Sequence, residues 1–93
     1  MASSKAYLQF ILEQISGVEI TYKKMMNEYL LYANGVLFGG IYDDSLLIKP
    51  TEKAKLLLPN AEYASPYDGA KPMLLCDFAD DGERLSELVK NLV

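Results

Sequence analysis

Apolar positions near the start of the chain recur with a helical period and then switch to strict alternation. Four of them are spaced i, i+3, i+4 and i+7, which places them on one face of a helix predicted over residues 4–16. These four are Leu8, Ile11, Leu12 and Ile15. From residue 18 to residue 23 apolar and polar residues alternate, as in a strand with one buried face. The pattern therefore predicts a helix followed by a strand, with Ser3 or Ser4 as the N-cap of the helix.

Turn-forming residues divide the middle of the chain into a meander. Asn34-Gly35 stands between the apolar runs 29–33 and 36–42. This dipeptide is typical of a two-residue hairpin, because both central residues of a type I′ turn need positive φ. A second turn at residues 43–45 leads into another strand at residues 46–49. We therefore expect three or four antiparallel strands.

Helix-capping residues organise the second half of the chain. Thr51 and Pro59 are expected to begin and end a short helix. Residues 60–72 are predicted to form a long ordered loop with room for a short edge strand, and residues 73–78 another strand. Asp80 is predicted to cap the last helix, with Glu83 completing a capping box.

The order of these elements predicts an α+β fold of two layers. We expect an antiparallel sheet meander with flanking helices in the order α-β(3-4)-α-β(1-2)-α. The outer helices are expected to share one face of the sheet, with Leu8, Ile11, Leu85 and Leu88 in the core. The 93 residues fit a single domain, residues 1–93, because no linker or repeat divides them.

Amino-acid composition limits the cellular compartment and the classes of binding partner that we expect. Cys76 is the lone cysteine, so no internal disulfide can form, and a cytoplasmic location is expected. The 13 acidic against 9 basic side chains give a net charge of −4, which disfavours direct nucleic-acid binding. No apolar run approaches the roughly 20 residues that a membrane helix needs. The composition does not decide whether the protein forms a homo-oligomer.

The residue types needed for common catalytic sites are missing. The chain has no histidine, which excludes Ser-His and Cys-His nucleophiles and, with one cysteine, a standard zinc site. The carboxylates of residues 77–83 lack the spacing of an EF-hand and suit a helix N-terminus. Gly39-Gly40 is expected to mark a bulge or a close backbone approach. We therefore expect a non-enzymatic protein with no catalytic residues, metal or cofactor.

The segment 23–27 is a candidate binding surface. It places two lysines before two flexible thioethers at a junction between strands. The alternative is that Met25 and one lysine stem pack at the sheet edge.

Three segments of the chain resemble the N-terminal domain of the TfoX/Sxy family. They are residues 22–29 (YKKMMNEY), 36–50 (VLFGGIYDDSLLIKP) and 66–73 (PYDGAKPM). The resemblance implies a two-layer α+β fold. Bacterial family members that carry a further helical domain regulate natural competence with a transcription activator, whereas many single-domain relatives have no assigned activity. The resemblance does not include that helical domain, so it does not transfer the competence role directly.

The chain departs from the family at its most typical motif. The family's usual Arg-Lys-Met-Phe-Gly is here Lys23-Lys24-Met25-Met26-Asn27. Lysine keeps the charge of arginine but loses its bidentate geometry, and asparagine can still adopt positive φ.

The resulting expectation is a TfoX-like regulatory or adaptor domain that binds a protein partner, such as a transcription regulator. The candidate contact residues are Lys23, Lys24, Met26, Asn27, Tyr29, Tyr67 and Lys71. Two alternatives remain open. One is a small enzyme that uses lysine, tyrosine or carboxylates near the 60–72 loop, and the other is a weak nucleic-acid-binding module.

Overall fold

The computed structural model describes residues 4–26 and 28–93, and within them the α+β prediction is confirmed. The helices are α1 (Lys5–Gln14), α2 (Glu52–Leu57) and α3 (Gly82–Leu92). The strands are β1 (Ile20–Met25), β2 (Glu28–Ala33), β3 (Val36–Tyr42), β4 (Ser45–Ile48), β5 (Tyr63–Ala64) and β6 (Met73–Leu75). No helix in these described ranges has the length and apolar character to cross a membrane.

The strands form one antiparallel sheet in the order β1-β2-β3-β4-β6-β5. The first four strands are the predicted meander. The chain then passes through α2 to β5 at the far edge, and β6 returns between β5 and β4. The short edge strand expected within residues 60–72 is therefore β5.

Two tight turns fix the register of the meander. Asn34 and Gly35 both have positive φ, 50° and 82°, as the Asn-Gly signal predicted. Asp43 and Asp44 form the second left-handed pair, with φ of 52° and 53°. This turn is held by its surroundings, because the amide of Asp43 donates to Glu28 Oε2 at 3.0 Å and Asp44 Oδ1 accepts from the amide of Ser4 at 2.7 Å.

The helix caps agree with the sequence at two helices and differ at the third. Ser4 Oγ accepts from the amide of Tyr7 at 3.1 Å, and Thr51 Oγ1 accepts from that of Ala54 at 3.1 Å. The predicted Asp80 cap is wrong by one residue, because Asp81 is the N-cap of α3 and Asp81 Oδ1 accepts from the amide of Arg84 at 3.3 Å. Glu83 consequently lies at the second helical position and cannot form the predicted capping box.

The outer helices share one face of the sheet, as predicted. Leu8 and Ile11 of α1 and Leu85 and Leu88 of α3 are all buried in the same core cluster. Residues of β2, β3, β4 and β6 complete this cluster from the sheet side.

A bulge in β3 explains its paired glycines. Leu31 pairs with Gly39 and the next residue, Tyr32, pairs with Leu37, so Phe38 is the additional residue on β3 and its side chain is buried. A Cβ at Gly39 would lie 2.3 Å from the carbonyl oxygen of Leu47 on β4. Both the bulge and the close backbone approach expected at Gly39-Gly40 are therefore present.

Candidate functional site

The candidate lysines lie on an edge strand. β1 has a strand neighbour on one side within the described part of the sheet, and its residues after Ile20 are exposed. Lys23 pairs with Leu30 and Lys24 with Tyr29 on β2. Because successive side chains of a strand point to opposite faces, Lys24 lies on the helix side of the sheet and Lys23 on the other side. The two cations therefore do not combine into one positive patch, a distribution that does not favour nucleic-acid binding.

The backbone of β1 offers hydrogen-bonding groups at the sheet edge. The amide of Asn34 donates to the carbonyl of Glu19 at 2.8 Å, which fixes the phase of the β1–β2 ladder. In an antiparallel pair the bonded residues alternate, so the N–H and C=O groups of Ile20, Tyr22 and Lys24 point away from β2. This edge has the geometry that accepts an extended peptide as an additional strand.

Met26 is the most exposed apolar side chain of the hairpin. It follows β1 in a left-handed conformation, with φ of 57°, and 88% of its surface is accessible. Met25 is 51% exposed, which is compatible with the alternative in which it packs at the sheet edge while half of its surface stays accessible. The candidate residue Asn27 lies outside the described residues. The two methionines therefore project from the end of β1.

Tyr29 does not lie on the exposed surface with the other candidates. It shares the helix side of β2 with Leu31 and Ala33, and only 6% of its surface is accessible. The ring of Tyr22 meets it edge to face, with 5.8 Å between the ring centroids. Tyr29 thus supports the hairpin from the core side, and we do not retain it as an anchor for a partner.

The loop candidate Tyr67 lies near the turn end of the same hairpin. Burial raises the pKa of Tyr42, and the nearby Tyr67 and Glu28 raise that pKa further. Tyr42 is on the sheet face opposite the helices, and a Cβ at Gly40 would lie 2.8 Å from its ring. The loop between β5 and β6 therefore brings Tyr67 near Tyr42, and Glu28 at the start of β2 is near the same residue. Lys71 is exposed in the same loop, after a turn in which the amide of Ala70 donates to the carbonyl of Tyr67 at 3.1 Å.

The displaced pKa values of the described residues do not indicate an activated nucleophile. Burial raises the pKa of the Cys76 thiol to about 11, and the side chain is almost inaccessible. Burial also raises the pKa of Tyr7. These groups are protonated near neutral pH, so they supply neither a thiolate nor a phenolate. No group of three or more histidine, cysteine, aspartate or glutamate side chains in the described ranges is placed to hold a metal ion.

A groove between α2 and α3 was not predicted from the sequence. It contains a cavity of about 460 Å³, and an adjoining cavity of about 230 Å³ shares Leu57, Leu58, Phe78 and Arg84 with it. Beside it Leu56 is 81% exposed. The consecutive residues Leu56, Leu57 and Leu58 were the available signal, because successive residues at the end of a helix point in different directions and cannot all be buried on one face.

Comparison with known proteins assigns no activity. No protein-family model matches the chain, and no solved structure matches it significantly. The chain is 28% identical over 92 residues to an uncharacterized 12.7 kDa protein in the trpE 5′ region of Spirochaeta aurantia. The match covers 97% of this chain and 80% of that protein. The similarity therefore extends over nearly the whole domain.

Proposed function

We propose that this domain is a non-enzymatic, TfoX-like regulatory or adaptor module that binds a protein partner through the β1–β2 hairpin. The observation that carries the proposal is the exposure of Met26. Its flexible apolar side chain is 88% exposed beside the edge of β1 that no other described strand occupies. Methionine adapts to varied apolar surfaces and is common where proteins bind several partners.

The hairpin combines three elements of a protein interface. The outward backbone groups of β1 provide hydrogen bonds for an extended segment of the partner. Met25 and Met26 provide apolar contact at the end of the strand. Lys23 and Lys24 flank this contact and steer an acidic partner, because exposed charges affect association rate more than affinity.

The regulatory part of the proposal comes from the TfoX/Sxy resemblance, which includes this hairpin. In this proposal the partner is a transcription regulator, the role is linked to competence or transcription, and the compartment is the cytoplasm. The absence of an activated nucleophile among the described residues, with Cys76 held protonated by burial, supports a binding role over catalysis.

A capture experiment with matched variants tests the proposal. The immobilised domain is exposed to cytoplasm of the source cells, and bound proteins are quantified by mass spectrometry for the wild type, Met26→Glu and Val36→Glu. Val36 is a suitable control because it is also exposed and apolar but begins β3, at the opposite end of the hairpin strands. We expect Met26→Glu to reduce capture of a specific partner by about tenfold or more, as the loss of an interface anchor does, while Val36→Glu retains it.

Further measurements separate binding from folding. Lys24→Glu should slow association and change its salt dependence while leaving dissociation nearly unchanged. Thermal unfolding of Met26→Glu should match the wild type, because Met26 packs against little. Unfolding of that variant would show that Met26 is structural. Normal folding with normal capture would place the binding surface elsewhere, with the loop around Tyr67 as the next candidate.

A further inference from the structure

The groove between α2 and α3 has an apolar floor that residues 4–26 and 28–93 leave uncovered. Leu57, Leu58 and Phe78 line both of its cavities, and Leu88 closes the larger one from α3. Together these cavities offer a volume large enough for several apolar side chains.

The outer surface of α2 extends this apolar floor into solvent. Ala54 is the residue that α2 buries, whereas Leu56 and Leu57 are both exposed. Burying an exposed leucine removes apolar surface from water and so stabilises a complex. An adjacent pair of exposed leucines beside a cavity is therefore a strong attraction for an apolar partner surface.

The charges around the groove favour a basic partner. The lining contains three carboxylates, those of Asp77, Glu83 and Glu87, and one guanidinium, that of Arg84. Arg84 already stacks on the ring of Phe78, with its guanidinium carbon 4.0 Å from the ring centroid. A partner with lysine or arginine beside its apolar residues would match this rim, and an acidic partner would be repelled.

The spacing of the lining residues favours a helix as the occupant. On α3 they follow the positions i, i+1, i+4, i+5 and i+8, and they are Glu83, Arg84, Glu87, Leu88 and Asn91. These positions form a stripe about two turns, or roughly 12 Å, long. The larger cavity lies between α2 and α3 and its lining among the described residues includes no residue of a strand, so it offers no ladder to an extended segment. A helix satisfies its own backbone and presents anchors at the same spacing.

We infer that the α2–α3 groove binds a basic amphipathic helix of a partner protein. Leucine-like side chains of that helix enter the groove beside Leu57 and extend over Leu56, and its lysine or arginine side chains meet Glu83 and Glu87. This site is independent of the β1–β2 hairpin, so either proposal stands if the other fails.

A designed peptide provides the probe. It is a fluorescein-labelled helical peptide of about 18 residues, long enough to be helical in isolation, with leucine at i, i+3, i+4 and i+7 and lysine elsewhere. Binding is followed by fluorescence anisotropy at about 0.15 M salt. We expect Leu57→Ala and Glu87→Lys each to weaken binding about fivefold or more, as loss of an interface anchor does. The same peptide with glutamate in place of lysine should bind at least about tenfold more weakly.

Matched variants test whether the lysine peptide binds the groove or is attracted only by the net negative charge of the domain. Glu13→Lys makes the same charge change on the exposed side of α1 and should leave binding within about twofold of the wild type. The inference is overturned if the glutamate peptide binds as tightly, or if Leu57→Ala and Glu87→Lys both bind like the wild type. A concentration-dependent dimer in sedimentation that Leu56→Ser disperses, with unchanged thermal stability, would also overturn it by placing a second copy in the groove.

Discussion

The hydroxyl of Ser86 donates a hydrogen bond to the backbone carbonyl of Gln14 at 3.2 Å and thereby joins α3 to the C-terminal end of α1. The same oxygen accepts from the amide of Ser16 at 2.9 Å. Ser86 is a buried polar residue on α3. It pairs the carbonyl of Gln14, which the end of α1 leaves without an intrahelical partner, and the amide of Ser16 just beyond that helix.

We expect Ser86→Ala to lower the free energy of unfolding by about 1–3 kcal/mol, because it leaves a partly buried carbonyl and amide without their partner. Urea unfolding followed by circular dichroism measures the change. Ser16→Ala is the control, because this variant keeps the backbone amide that donates to Ser86. The hydroxyl that it removes belongs to an exposed residue and lies 3.5 Å from the hydroxyl of Ser86. Equal losses in the two variants would show that the Ser86 hydroxyl is not specifically required.

The approach of β3 to β4 predicts that Gly39 cannot carry a side chain. A Cβ there would lie 2.3 Å from the carbonyl oxygen of Leu47, which is backbone and cannot rotate away. We expect Gly39→Ala to destabilise the domain by more than about 3 kcal/mol or to prevent folding, as severe overpacking does. Gly69→Ala is the comparison, because Gly69 has a φ of 87° but no atom within 4 Å of the position its Cβ would take, and should cost about 1–2 kcal/mol. A thermal midpoint that is lower for Gly69→Ala than for Gly39→Ala would contradict this expectation.

The left-handed conformation of Met26 makes a stability prediction that is separate from binding. A non-glycine residue at a φ of 57° carries a conformational cost of about 1–2 kcal/mol that glycine avoids. We expect Met26→Gly to raise the free energy of unfolding by about 0.5–1 kcal/mol, after allowing for the larger entropy of glycine in the unfolded chain. Met25→Gly, within β1, should instead lower it, and chemical denaturation of both variants provides the measurement. A loss of stability in Met26→Gly would mean that its side chain makes structural contacts.

Burial of Cys76 makes stability depend on alkaline pH. Its folded pKa of about 11 exceeds the ordinary value of 9.0, so the folded state holds this proton more tightly than the unfolded state. The resulting stability is fully present below about pH 9 and is lost as the pH rises from about 9 to about 11, by about 2–3 kcal/mol. The free energy of unfolding, measured with urea across this pH range, should fall less in Cys76→Ala than in the wild type. Parallel curves for the two proteins would contradict a buried, protonated thiol.

Local sequence determined the tight turns, the buried helix faces and two of the helix caps, because each depends on residues close together in the chain. Asn34-Gly35 and the Asp43-Asp44 turn predicted the meander because positive φ at adjacent residues forces a tight reversal. The period of apolar residues predicted α1 and α3 and their buried faces. Ser4 and Thr51 were correct as caps because a cap bonds an amide three residues away.

The candidate contact residues differ in how well local sequence predicted their exposure. Lys23, Lys24 and Met26 were predicted to be accessible, and they are exposed on and beside an edge strand. Tyr29 belongs to the same segment but is buried, because the helices cover the sheet face on which it lies. Alternation along β2 separates two faces without specifying which of them the helices will cover.

Tertiary structure alone decided the features that depend on distant segments. The placement of β6 between β4 and β5 follows from pairing Leu47 with Leu75 and Leu74 with Tyr63, and no local pattern encodes those partners. The α2–α3 groove exists because two helices that are separated by 24 residues, 58–81, come together over the same edge of the core. The hydrophobic effect that drives both arrangements is non-directional, so the sequence specifies which side chains leave water and the packed chain decides which of them meet.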